Sequence, residues 1–216
     1  MKPSLSWQPS LLGGDDAPRH SRFGPVERVW LDDRSWVDYG EGWLCGSDEL
    51  FAALAASAPW TQRSRRMFDR YVQEPRLTAS WTPESAASWY PPALEAVRRA
   101  LSQHYGVAFD SVGFNLYRDG RDSVAWHRDR IAREIPDPVV ALVSLGEPRR
   151  LLLRPRGGGR SRSFMLGRGD LFVTGGRTQR EWEHTVPKVP SAGPRISVAF
   201  RHGTIGSPYQ PPVAGD

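Results

Sequence analysis

The spacing of apolar residues changes near Gly106, and the change separates a helical part of the chain from a strand-rich part. Before it, "SDELFAALAASAPW" and "PPALEAVRRALSQHYG" carry apolar residues three and four positions apart, which predicts two amphipathic helices. Ser47 is the predicted N-cap of the first helix. Pro92 suits the first turn of the second helix and Gly106 its end.

After Gly106 the chain divides into short apolar or alternating runs bounded by Gly, Pro or Asp. The runs are "SVGFNLYR", "SVAWHRD", "VVALVSLG", "RRLLLRP", "SRSFMLG", "GDLFVTGG", "REWEHTVP" and "RISVAFRH". Short strands that follow two helices predict an α+β protein. Its core is expected to be a double-stranded β-helix (jelly roll), with the N-terminal helices packed on one side.

The same patterns predict four segments. Residues 1–25, rich in Pro, Gly, Ser and charge, are expected to form a loose N-terminal arm, and residues 206–216 a C-terminal tail. Residues 26–106 hold the helices and the segment between them. Residues 107–205 form the jelly-roll core, in which the patch "RPRGGGRSRS" is expected to be a flexible hairpin loop.

Charge adds a possible partner to this picture. The 216-residue chain has a formal net charge of +5, and Lys2 and Lys188 are its only lysines, so nearly all the positive charge is arginine. Guanidinium groups pair well with phosphates, which permits a nucleic-acid partner. The alternative is that the arginine content reflects only the base composition of the genome.

Cysteine usage and hydropathy narrow the class of protein. Cys45 is the only cysteine in the sequence, which excludes a disulfide framework or a thiolate metal cluster within the chain. The stretch "MKPSLSWQPSLLGGDD" has no apolar run of signal-peptide length, and no stretch reaches the length of a membrane span. We therefore expect a cytoplasmic protein with no membrane partner. We also expect a monomer, although neither feature bears on the oligomeric state.

Candidate metal ligands lie in "NLYRDGRDSVAWHRD", residues 115–129. His127 and Asp129 stand two apart, so on a strand both side chains point to one face. His184 lies on the penultimate predicted strand, which barrel closure is expected to bring beside His127. Two imidazoles and one carboxylate form the facial triad typical of Fe(II), although the same ligands accept Mn, Co or Ni. The alternative is that the His-x-Asp pair is a surface or turn feature.

A candidate anion site lies on the last predicted strand. Arg195 and Arg201 are six positions apart, an even spacing that directs both side chains to one face. Two arginines in a pocket leave unpaired charge, which is unfavourable unless an anion is bound. A dicarboxylate would pair with both, and Asn115 and Tyr117 would add neutral hydrogen bonds. The alternative is that both arginines are exposed on an edge strand.

The ordered motifs "NLYRDG…HRD", "EHTVP" and "RISVAFR" resemble the AlkB family of Fe(II)/2-oxoglutarate-dependent dioxygenases, over roughly residues 60–203. The resemblance implies oxidative removal of alkyl groups from DNA or RNA bases with Fe(II), 2-oxoglutarate and O2. It implies that His127, Asp129 and His184 hold iron and that no residue beyond these ligands is catalytic. It also implies a set of 2-oxoglutarate-binding residues: Asn115, Tyr117, Arg195, Ser197 and Arg201. Arg195 would pair with the distal carboxylate, and Arg201 would lie near the end that chelates iron.

The resemblance also implies a nucleotide-recognition lid, in "RRMFDRYVQEPRLTASWTP". Trp81 would stack on or wall off a base, Phe68 would fill the space that the base leaves, and Arg76 is one of several arginines suited to a nucleic-acid strand. Alkylated DNA is the expected partner, ahead of RNA. The alternative is that Phe68 and Trp81 are ordinary core aromatics.

The sequence departs from the family pattern at a few positions. Ile131 stands where an acidic residue commonly helps to read the damaged base, and Ser197 and Ala199 stand where Asn and Thr are usual. The apolar Ile131 leads to the hypothesis that bulky etheno adducts are removed in preference to methyl groups. Two other classes stay open: a 2-oxoglutarate-dependent hydroxylase of a small metabolite or protein side chain, and a non-catalytic nucleic-acid binder.

Overall fold

The computed structural model describes Leu5 and residues 19–20, 26–67, 69–85, 87–129 and 131–203. Most of the predicted arm, the predicted tail and Phe68 lie outside the described residues. Within the described part, no helix is long and apolar enough to cross a membrane.

The described residues form three α-helices and one 3-10 turn: α1 Ser47–Ser57, α2 Pro92–Tyr105, α3 Thr178–Glu181 and the turn Pro83–Ser85. The two predicted helices are confirmed as α1 and α2, and Gly106 ends α2 in the left-handed conformation at φ 64°. The prediction that Ser47 caps α1 is wrong. Gly46 is the N-cap, because its carbonyl already accepts a hydrogen bond from the Leu50 amide.

Fifteen strands lie in the described part of the chain. They are β1 Arg19–His20, β2 Glu27–Trp30, β3 Ser35–Gly40, β4 Leu44–Cys45, β5 Ser64–Met67, β6 Arg70–Gln73, β7 Leu77–Trp81, β8 Ser111–Tyr117, β9 Val124–His127, β10 Val140–Gly146, β11 Arg149–Pro155, β12 Arg162–Leu166, β13 Leu171–Gly176, β14 Trp182–Val186 and β15 Arg195–Arg201. The eight predicted runs correspond to β8–β15, so this part of the prediction is confirmed.

Two sheets form the jelly roll. The larger has the order β2-β3-β13-β10-β15-β8-β7, and the smaller has the order β12-β11-β14-β9. The pairs β1–β4 and β5–β6 form separate two-stranded sheets. Three strands from before residue 107, β2, β3 and β7, complete the larger sheet, so the N-terminal segment contributes strands as well as helices.

Two apolar cores cover the two faces of the larger sheet. On one face, Leu54 of α1 and Leu101 of α2 belong to the same buried cluster as Phe114 of β8, which places the helices on one side as predicted. On the other face, Tyr117 of the larger sheet and Leu153 of the smaller sheet share a second cluster. We call the face toward the smaller sheet the inner face.

Alternation along β8 and β15 decides which side chains reach the inner face. Leu116 and Ile196 pair in register and belong to the helix-side core. Their neighbours Tyr117 and Arg195 also pair and point the other way. Because the side-chain period of a strand is two, the inner face carries the remaining odd-numbered residues of both strands, listed as Ser111, Gly113, Asn115, Ser197, Ala199 and Arg201.

Candidate functional site

The three candidate metal ligands meet at the edge of the smaller sheet. The register of β9 and β14 places His127 opposite His184, with their ring centres 4.2 Å apart. Asp129 follows β9 by two residues. Ligand atoms of His127, Asp129 and His184 all lie within 4.8 Å of one another, a separation that one metal ion can bridge.

The surroundings of His184 and Asp129 keep these two candidate ligands in the protonation states that a metal requires. Nδ1–H of His127 donates to the Ala125 carbonyl at 2.9 Å, so Nε2 is the ring nitrogen that this bond does not engage. Burial, together with the nearby His127 charge, lowers the pKa of His184 to about 3, so its ring is neutral. Burial opposes ionisation of Asp129, but Arg201 and the imidazoles outweigh it and hold the pKa of the carboxyl at about 2. A neutral His184 ring and an ionised Asp129 carboxylate, together with the His127 ring, fit a divalent transition metal.

Gln179 of α3 fixes the backbone of Asp129. Its Oε1 accepts a hydrogen bond from the Asp129 amide at 3.2 Å, and its Nε2 donates to Oγ1 of Thr174 at 2.9 Å. Gln179 is buried, so the loop after β9 is tied through it to β13. The sequence analysis missed Gln179 because α3 is a single turn that no helical periodicity reveals.

Arg201, at the C-terminal end of β15, pairs with the candidate metal ligand Asp129. Its Nη2 donates to Oδ1 of Asp129 at 2.8 Å, so only one carboxylate oxygen is engaged by the guanidinium. The guanidinium passes over Gly113 of β8, where a Cβ atom would lie 2.5 Å from Nη1 of Arg201. Gly113 lies inside a strand, where the absence of a side chain lets the Arg201 guanidinium approach the backbone.

Arg195, at the N-terminal end of β15, has no carboxylate partner among the described residues. It is 1% exposed, and its Nε donates to Oγ of Ser144 at 2.8 Å. Nη1 and Nη2 are buried without hydrogen-bond partners. Burial lowers the pKa of Arg195 to about 10, so the group is still a cation at neutral pH. Two orphaned guanidinium nitrogens beside Tyr117 fit a carboxylate, which can accept two parallel hydrogen bonds.

Asn115 and Ser197 lie opposite each other in register, between the two arginines on the inner face. Oδ1 of Asn115 accepts a hydrogen bond from Nε of Arg76 at 3.0 Å. Because an arginine Nε can only donate, the amide oxygen of Asn115 is the engaged atom, and its NH2 group is left as a donor. Arg76 also pairs with Glu74 at 2.9 Å. Its bond to Asn115 joins this predicted nucleic-acid contact to a predicted 2-oxoglutarate residue.

A cavity of about 850 Å3 adjoins the metal ligands. His127, Asp129 and Arg201 belong to its lining, and Arg195 and Tyr117 do not. Volumes of this size are typical of small-molecule sites. The arrangement therefore offers an open side beside the metal ligands and a buried cation beyond them.

The rim of this cavity is positively charged and includes part of the predicted lid. The β5–β6 hairpin contributes Val72 and Gln73 to the lining. Arg63, Arg128 and Lys188 are exposed cations that also line it. Exposed cations around an opening suit a polyanion.

Two of the predicted substrate-binding residues, Trp81 and Ile131, pack against apolar clusters of the protein. Trp81 borders the cavity, but it pairs in register with Val112, whose side chain belongs to the helix-side core. Its ring stacks on Tyr90, with ring centres 4.0 Å apart. Ile131 is buried in a small cluster with Ile135 and is not part of the cavity lining. Roles for Trp81, Ile131 and Phe68 in substrate binding stay predictions.

A jelly roll with a His-Asp-His cluster and a buried arginine on the facing strand defines an Fe(II)/2-oxoglutarate oxygenase type of site. Residues 46–201 match the model of the 2OG-Fe(II) oxygenase superfamily, and the chain belongs to this superfamily. Its relatives bear AlkB names, which confirms the predicted family resemblance.

The chain is 33% identical over 175 residues to alpha-ketoglutarate-dependent dioxygenase alkB homolog 3 of Bos taurus. The aligned region covers 72% of this chain and 61% of the relative. It is 32% identical over 230 residues to DNA oxidative demethylase ALKBH2 of Homo sapiens, and the aligned region covers 90% of this chain and 88% of that relative. The chain thus spans about three fifths of the alkB homolog 3 relatives. The solved structure of OsALKBH1 has a TM-score of 0.58 and 14% identity, covers 82% of this chain and 99% of that chain, and supports the fold alone.

Proposed function

We propose that this protein is an Fe(II)/2-oxoglutarate-dependent dioxygenase that removes alkyl groups from nucleic-acid bases. The observation that carries the proposal is a candidate metal site at the edge of the smaller sheet together with a buried arginine on the inner face of the larger sheet. Ligand atoms of His127, Asp129 and His184 lie within bonding reach of one metal ion, and Arg195 is buried with two unpartnered nitrogens. A buried cation without an anion is unfavourable, so the site favours a ligand that brings a carboxylate.

The residues divide the work as follows. His127, Asp129 and His184 would hold Fe(II), and Arg201 keeps Asp129 ionised. A set of inner-face residues would hold 2-oxoglutarate: Asn115, Tyr117, Arg195, Ser197 and Arg201. Iron, 2-oxoglutarate and O2, when bound, would supply the oxidising chemistry for an N-alkyl carbon, and the protein would orient the substrate and limit water.

Alkylated DNA is the proposed substrate, ahead of RNA, and a monomer the proposed active form. Relatives named DNA oxidative demethylase support DNA. The cations Arg63, Arg128 and Lys188 line the cavity where phosphates would pass. Binding to single-stranded DNA should therefore weaken as salt is raised, because neutralised phosphates release counterions. A hydroxylase of a free metabolite would show no such dependence.

Etheno adducts remain the proposed lesion, on changed grounds. Ile131 supplies no apolar wall to the cavity, since it is buried elsewhere. The cavity of about 850 Å3, whose lining includes Asp129 and Arg201, instead offers the room that a bulky adduct needs. Turnover of a 1-methyladenine oligonucleotide well above that of an ethenoadenine oligonucleotide would remove this part of the proposal.

The decisive experiment measures succinate release by the Fe(II)-loaded protein with 2-oxoglutarate, with and without an ethenoadenine oligonucleotide. His127→Ala removes a proposed ligand, and His104→Ala is a matched control because His104 is exposed on α2. We expect release that rises with the oligonucleotide, vanishes in His127→Ala and persists in His104→Ala. Release that needs His127 but ignores the oligonucleotide would favour the metabolite or protein hydroxylase. No release from iron-loaded protein would contradict the proposed reaction.

A further inference from the structure

Arg149, the first residue of β11, is a second buried arginine on the inner side of the molecule. It is 2% exposed. Its Nη1 donates to the Asp119 carbonyl at 3.0 Å, and its Nη2 donates to the carbonyls of Asp122 and Pro187 at 2.9 and 2.8 Å. Its Nε is buried without a partner. Three backbone carbonyls thus hold the guanidinium in one place without neutralising its charge.

The nearest acids are already paired with other arginines. Both carboxylate oxygens of Asp122 accept hydrogen bonds from Arg118, and Asp119 is paired with Arg121. Among the residues that the structure describes, no carboxylate lies within ion-pair distance of Arg149. The turn between β8 and β9 therefore leaves the charge of Arg149 in excess.

This excess charge faces the same tyrosine as Arg195. Cζ of Arg149 lies 5.7 Å from the ring centre of Tyr117, and Cζ of Arg195 lies 5.4 Å from it. The phenol of Tyr117 is buried, and burial raises its pKa, so it is neutral and compensates neither cation. Arg149 and Arg195 thus lie near one neutral phenol, and neither has a carboxylate partner among the described residues. An anion that enters this site lowers its electrostatic energy.

We propose that Arg149 is a second cation of the co-substrate site. It attracts the distal carboxylate of 2-oxoglutarate that Arg195 and Tyr117 contact, and it fixes the turn against which Tyr117 packs. The inference rests on the proposed function, since it takes 2-oxoglutarate as the co-substrate. Arg149 acts through space and through Tyr117, so it is a positioning residue rather than a catalytic one.

A purely structural role makes a different prediction, and two ligands separate the roles. 2-Oxopentanoate has the same carbon chain as 2-oxoglutarate and the same metal-chelating end, but it ends in a methyl group. If Arg149 acts by its charge, its loss weakens the binding of 2-oxoglutarate and leaves the binding of 2-oxopentanoate unchanged. If Arg149 only holds the β8–β9 turn, its loss weakens the binding of both ligands by the same factor.

The experiment measures the dissociation constants of both ligands by calorimetry on the full chain loaded with Mn(II), a metal that the same ligands accept. Arg149→Gln and Arg149→Met are both neutral, and either suffices if the other does not fold, as judged by circular dichroism. Arg149→Lys restores a cation without the fork. Arg150→Gln is the matched control, because Arg150 is exposed on the same strand.

We expect the neutral variants to bind 2-oxoglutarate about tenfold more weakly, which corresponds to ~1.4 kcal/mol, and 2-oxopentanoate as the wild type does. Arg149→Lys is expected to recover most of the preference, and Arg150→Gln to keep all of it. Equal weakening of both ligands, or an unchanged preference, overturns the inference. Wild-type protein that holds Mn(II) but binds no 2-oxoglutarate would instead contradict the proposed function itself.

Discussion

The two ends of β15 present the same side chain in opposite electrostatic situations. Arg201 is paired with Asp129 at 2.8 Å and is therefore held beside the candidate metal ligands before any co-substrate binds. Arg195 is more deeply buried and keeps two nitrogens without partners. One arginine stabilises the folded protein by pairing, whereas the other stores an unfavourable charge that a ligand can relieve. The comparison separates residues that build this site from residues that wait for its ligand.

The largest expected effect comes from Arg195→Met, which breaks the comparison at the ligand end. Loss of the buried cation should weaken 2-oxoglutarate binding to Mn(II)-loaded protein about a thousandfold, or ~4 kcal/mol. Stability without ligand should not fall, because an unpaired charge is removed and the Ser144 hydroxyl still donates to the Leu166 carbonyl. Calorimetry and urea unfolding check the two parts. A variant that retains 2-oxoglutarate affinity, or that is much less stable than the wild type, would contradict this view of Arg195.

Arg201→Met should have the opposite effect on stability. It leaves the buried Asp129 carboxylate without its cation, so the free energy of unfolding at neutral pH should fall by about 3 kcal/mol. Urea unfolding of metal-free protein measures this, with Arg150→Met, on the smaller sheet, as an exposed control. Equal stability of Arg201→Met and Arg195→Met would show that the two arginines are not in different situations after all.

A smaller effect is expected from His202, which follows Arg201 on the chain. Burial lowers the pKa of His202, and its Nε2 accepts a hydrogen bond from the Val139 amide at 3.0 Å. The unfolded chain therefore binds this proton more readily, so the stabilisation is present above the unfolded pKa of about 6.5 and is lost as pH falls below it. The loss is at most about 1.4 kcal/mol per pH unit.

Denaturant unfolding between pH 8 and pH 5 measures this dependence. His202→Gln keeps an acceptor for Val139 but cannot be protonated in this range, so its stability should fall less between pH 6.5 and pH 5 than that of the wild type. Parallel curves for the two proteins would mean that His202 does not carry the acid sensitivity of this end of β15.

Strand periodicity predicted the inner-face residues, and long-range packing decided the rest. Asn115, Tyr117, Arg195 and Arg201 were predicted on one face because a period of two fixes the face once the strand is known. His184 followed from the expected strand order. Local pattern alone carries this much because the alternation of side chains along a strand does not depend on the loops that connect the strands.

The residues that the sequence analysis missed depend on contacts distant in the chain. Gln179 and Arg149 act through a single helical turn and through turn carbonyls, neither of which leaves a periodic signal. Trp81 shows the same limit from the other side. Its strand was within the predicted lid, but its pairing with Val112, which turns the ring toward Tyr90, depends on β8 packing beside it.

Gly113→Ala is expected to have the smallest effect, and it tests how firmly Arg201 is held. Alanine favours a strand over glycine by roughly 0.5–1 kcal/mol, but its Cβ would lie 2.5 Å from Nη1 of Arg201. In the wild-type background we expect these effects to oppose each other, so that stability changes little or falls. In the Arg201→Met background the clash is absent, and the same substitution should stabilise. Urea unfolding of the four proteins gives a coupling free energy, expected to be about 1 kcal/mol. A coupling near zero would mean that the Arg201 guanidinium moves aside at no cost, and the paired end of β15 would then be less rigid than its contact with Asp129 implies.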